Sequence, residues 1–292
     1  MAVYEQTYRP WAGTPSSPWT RRLVIPRYAF AQLFESRLFA IFYVLCFVYT
    51  LGHAGAIYMA HNLPLFLKLG FKAEGDLADL SLGARQLQVF LIVQMVQGLF
   101  VTLFVAPTLI ARDLHNNGLA LYLSRPISKW TYIGGKFAVL ATLLSGMTWV
   151  AGFLLYTLEA VLQGGNWFGQ HLRLLVGLFL GSWVLITVYA LVSLAASAML
   201  RWRPVAMAAT FGVLVVGAPF GKAINEALGT TIGNVFDVLQ MIRVLWGAFF
   251  GEVLHAEQTE VSPATAAIAL ALVCAGALWI LARRVRPYEV VS

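Results

Sequence analysis

With 292 residues, 60% of them apolar and only 11% charged, the chain lies far from soluble domains, in which roughly a quarter of residues carry charge. The formal net charge of +7 belongs to basic residues at the ends of apolar runs, so it speaks for contact with anionic head groups and implies no nucleic-acid binding. Cys46 and Cys274 both sit inside apolar runs; they read as small core residues and give no disulfide framework.

In chain order, the first 37 residues are broken by Pro10, Pro15, Pro18 and Pro26 and punctuated by arginines. They lack the apolar core of a signal peptide, and no cleaved leader is expected. The stretch 17–37 alternates arginine with aromatic and aliphatic residues, which predicts a helix lying in the head-group layer with Arg27 and Arg37 as interface anchors. Six apolar runs of about 20 residues follow, the length a membrane-crossing helix needs: 38–59, 89–110, 133–160, 174–200, 204–220 and 263–282. The stretch 235–254 is apolar too, but Asp237, Gln240 and Arg243 recur every third residue. That spacing lays a polar stripe on a helix, so 222–254 is read as an amphipathic outer segment rather than a seventh span.

Charge supports six spans with both termini inside. The inner segments then hold 14 basic residues against four acids, and the outer ones six against nine, with Glu159 at the outer mouth of the third span. Basic inner loops are the rule for plasma-membrane proteins. The expected fold is an all-α integral membrane protein, one membrane domain over 1–292.

Little chemistry is visible in it. Glu159 is the only acid within an apolar run, and near a helix end it reads as an interfacial carboxylate rather than a transport site. Five scattered histidines give no metal-ligand spacing, and neither a zinc-protease nor a serine-hydrolase motif occurs. Gly135-Lys136 and Gly221-Lys222 lack the upstream glycine of a phosphate-binding loop and are followed by Phe137 and Ala223, so neither is one. Lys136 reads instead as a head-group anchor at the inner end of a span.

The informative loop is 112–136, RDLHNNGLALYLSRPISKWTYIGGK. Asp113 can open a short helix over 113–123, in which Leu114 with Leu121 and Leu119 with Leu123 make two apolar sides. Two apolar sides need two neighbours: the membrane domain on one, and water, lipid or a second protein on the other. An elbow in the interface with no partner is the plainer alternative. Pro126 stops the helix, and Ser128 can cap the next one, which rises through Tyr132 and Lys136 into the third span.

This string resembles the segment after the second span in ABC-2 type permeases, membrane subunits of ATP-binding-cassette exporters. Asp113, Gly118, Leu119, Leu123, Pro126, Gly135 and Lys136 match, with Asp113 where the family usually has Glu. The helix before the first span, six spans and short outer helices before the sixth match as well. The resemblance implies that 113–123 is a coupling helix seated in a groove of a separate ATPase chain, with Asp113, Leu114, Gly118, Leu119, Leu121, Leu123 and Pro126 in the contact. It further implies that ATP and Mg are bound by that partner and not by this chain. A second permease copy or a paralogue would complete the pathway, in the cell membrane. The alternative function is a membrane subunit that passes ATP-driven mechanical work to an extracytoplasmic partner without moving a solute. Gly177 and Gly181 form a G-x-x-x-G in the fourth span, expected to serve packing within the chain rather than a dimer seam.

Overall fold

The computed structural model of the protein describes residues 18–62, 81–115, 128–251 and 261–285. Among these the chain is all helical, with no strand. Six helices are long and apolar enough to cross a membrane. Span 1 is Arg37–His61 and span 2 is Ala84–Leu109, followed by the short helix Ala111–His115. Span 3 covers Lys129–Gln163, span 4 Leu172–Met199, span 5 Arg203–Leu228 and span 6 Pro263–Arg284. A further helix, Pro18–Phe34, precedes them.

Local chemistry sets several boundaries. Ser128 caps span 3 as its position suggests, accepting the Thr131 N–H at 3.1 Å. Spans 3 and 5 each contain a π turn that begins at glycine, Gly146–Val150 and Gly212–Val216. A π turn shifts the hydrogen-bond register and frees a carbonyl. In span 3 the Leu143 carbonyl accepts the Tyr43 hydroxyl of span 1 at 2.9 Å, and a Cβ on residue 146 would lie 2.8 Å from that hydroxyl.

Span 4 is the central helix, packed on spans 2, 3, 5 and 6. Spans 1, 5 and 6 leave most of their apolar surface outside the chain. Span 5 runs eight residues beyond its expected end at 220. Lys222 and Glu226 are exposed on this extension, whose Ala, Ile, Asn, Glu and Leu continue a helix until Gly229, at φ 61°, ends it. The expected outer segment therefore begins inside the fifth helix.

The helix Val238–Phe250, capped by the Asp237 carboxylate on the Gln240 N–H at 2.9 Å, has 13 residues. At 1.5 Å per residue that is about 20 Å, short of a crossing. Its buried side, including Met241, Leu245 and Trp246, packs on spans 4 and 6. Gly177 and Gly181 make the seat: the Trp246 indole donates to the Gly181 carbonyl at 3.0 Å. A Cβ would stand 2.8 Å from that indole at 181 and 3.1 Å from the Phe250 ring at 177. The G-x-x-x-G thus packs within the chain.

Candidate functional site

Span 2 is interrupted at Ile110, three residues after Pro107, and the helix resumes at Ala111. An interruption of this kind opens backbone groups that must find partners when buried. Ser197 of span 4 supplies both: its hydroxyl accepts the Ala111 N–H at 2.9 Å and donates to the Ala106 carbonyl at 3.0 Å. These two bonds hold the start of Ala111–His115, the helix that carries Asp113, against span 4.

Asp113 Oδ2 receives the Lys136 ammonium at 2.9 Å and the Tyr132 hydroxyl at 2.7 Å. Tyr132 and Lys136 lie four residues apart, hence on one face of span 3. The ammonium also stands 5.4 Å from the Tyr132 ring centroid, within reach of the ring's negative face. Tyr132 is fully buried and Lys136 is 6% exposed. Two charges in so dry a place hold each other tightly, because removing either strands the other. One residue earlier, Gly135 lets the helix Pro18–Phe34 cross span 3: a Cβ there would lie 3.1 Å from Ile25 Cγ2. Gly135 and Lys136 therefore have separate tasks, one seating the N-terminal helix and one clamping the end of span 2.

Of the residues singled out in the sequence, Asp113 and Lys136 are brought together, and Leu114 is half-buried against the core. Lys136, expected to reach the head groups, is buried with its ammonium on Asp113. Arg27 and Arg37 are exposed. Gly118, Leu119, Leu121, Leu123 and Pro126 lie outside the described residues, as does most of the expected helix 113–123. The structure adds Tyr132 to the site. Its signal was available: a hydroxyl one turn before a lysine, at the start of a span that follows an acid-bearing loop.

A second polar contact joins the far ends of spans 1 and 3. Glu159 is 1% exposed; its Oε1 lies 3.5 Å from His61 Nε2 and accepts from Gln163 Nε2 at 3.1 Å. His61 Nδ1 lies 3.0 Å from the Ile57 carbonyl, which can only accept, so that nitrogen carries the proton. Among the described residues no group of three or more His, Cys, Asp and Glu side chains converges as a metal site would require. What these contacts do is mechanical: they hold helix ends in register.

Six crossing helices, span 4 central among them, with the segment after span 2 bolted to span 3, define a multi-pass helical membrane protein. The family model described as ABC-2 family transporter protein matches residues 25–280, and the chain belongs to that family. It is accordingly a membrane permease subunit of an ABC transporter, a family that is not itself the ATPase and that works with an ABC ATPase partner. Comparison with curated proteins gives no match.

Proposed function

We propose that the chain is an exporter permease driven by ATP and Mg bound on a separate ATPase, which pushes on 113–123 from the cytoplasm. A second permease chain, identical or paralogous, completes the pathway, and both termini are cytoplasmic. The observation that carries the reading is the clamp of Asp113 on Lys136 and Tyr132. A segment pushed by another protein transmits work only if its root is fixed to a helix that moves, and Asp113 roots this one on span 3. The Ser197 contacts on Ala106 and Ala111 tie the same root to the central span. Displacement at Asp113 then reaches spans 3 and 4 together.

The test co-expresses the chain with its ATPase and follows membrane insertion, copurification of the ATPase and ATP hydrolysis. Leu119→Ala and Leu123→Ala should insert normally and lose the partner, each removing apolar contact of about 2 kcal/mol. Asp113→Asn combined with Lys136→Met, which removes the clamp without leaving a lone charge, should keep the ATPase bound while hydrolysis no longer drives transport. If both leucine variants keep the partner and full transport, 113–123 is an elbow and the reading fails. Sustained ATP turnover by the purified chain alone would also sink it.

A further inference from the structure

A cleft of about 460 Å³ opens where the helix Pro18–Phe34, span 1, the end of span 2 and the start of span 5 meet. One wall is apolar, with Phe39, Phe42 and Phe104 prominent, the last two edge to face at 5.6 Å between centroids. The rim carries Arg112 and Arg203 and no carboxylate. Neither arginine makes an ion pair or hydrogen bond with a described residue. The acid next door, Asp113, is already engaged by Lys136 and Tyr132, so the two guanidinium groups face an opening that nothing described neutralises.

Arg112 lies eight residues beyond Phe104, past the break at Ile110, and both line the cleft. A ligand filling the cleft therefore meets both positive charge and aromatic surface. We infer that the cleft binds an anionic phospholipid, its phosphate between Arg112 and Arg203 and an acyl chain against Phe42 and Phe104. The guanidinium fork suits phosphate oxygens, and anionic lipid is drawn to basic residues at a membrane surface. A soluble phosphate would leave the aromatic wall unfilled. A zwitterionic lipid would bring its own cation toward two arginines. Leu38, 82% exposed, and Phe104, 51% exposed, leave the apolar side open laterally, as loading from the bilayer requires. The volume falls within the few hundred cubic ångströms usual for ligand sites. This inference does not depend on the coupling role of 113–123.

The test reconstitutes the chain in nanodiscs containing equal phosphatidylglycerol and phosphatidylcholine with identical acyl chains. Lipids that stay bound on release are counted by native mass spectrometry. Phosphatidylglycerol should be retained with roughly tenfold preference, and excess inorganic phosphate should not displace it. Arg112→Gln with Arg203→Gln should abolish the preference, whereas Arg112→Lys with Arg203→Lys should keep most of it. Arg201→Gln, outside the cleft, should change nothing. Equal retention of the two lipids by the unmodified chain overturns the inference, and that measurement needs no variant to fold. Preference surviving the double glutamine variant, or displacement of lipid by inorganic phosphate, overturns it as well.

Discussion

Span 3 is held by polar contacts at both ends, and the two ends are built differently. At its beginning, Lys136 and Tyr132 close on one carboxylate oxygen of Asp113 at 2.9 and 2.7 Å. Near its other end, Glu159 meets His61 at 3.5 Å, and its Oε2, buried, has no partner among the described residues. The first contact joins two groups of opposite formal charge. The second is longer and leaves one carboxylate oxygen without a partner among the described residues. Between them lies the π turn at Gly146–Val150, a place where a helix can change register. Span 3 is thus closely clamped at one end, held by a longer contact at the other and interrupted by a π turn between them.

The largest expected effect comes from cutting the clamp on one side only. Lys136→Met leaves the Asp113 carboxylate without its cation and should cost about 3–5 kcal/mol, read as a lowered thermal midpoint of the purified chain in micelles. Adding Asp113→Asn should recover most of it. Tyr132→Phe removes one hydrogen bond to a charged acceptor and should cost about 2 kcal/mol by the same measurement. At the joint, Gly146→Ala puts a methyl group against the Tyr43 hydroxyl and should cost about 1–2 kcal/mol; Tyr43→Phe in the same chain should relieve part of that. At the loose end, Glu159→Gln keeps a group that can meet both His61 and Gln163 and should cost about 0.5 kcal/mol. The contrast between the ends collapses if Glu159→Gln proves as damaging as Lys136→Met.

Much of the architecture was legible because lipid imposes simple rules. Apolar runs of crossing length gave the six spans, and Ser128 was readable as a cap from its place after Pro126. The close packing at Gly177 and Gly181 followed from spacing, although its partner, Trp246, lies 65 residues on and no local pattern announces it. The fifth helix outruns its apolar run because hydropathy falls at Lys222 while helix propensity does not, and it is Gly229 that ends the helix. Lys136 reads naturally as a head-group anchor from its position at a span end. Only a fold that returns the chain to Asp113, 23 residues earlier, gives it a carboxylate. Pairings of that kind depend on where the chain brings residues far apart in sequence, and periodicity carries no such information.

The helix Val238–Phe250 has a consequence for how the chain is made. Its apolar side rests on both span 4 and span 6, and span 6 is synthesised after it. Until Pro263–Arg284 enters the bilayer, the Trp246 indole has its Gly181 acceptor, but the helix that carries it lacks one of its two neighbours. The helix is too short to anchor itself across the membrane in the meantime. Arrival of span 6 thus covers the side of Val238–Phe250 that span 4 leaves open.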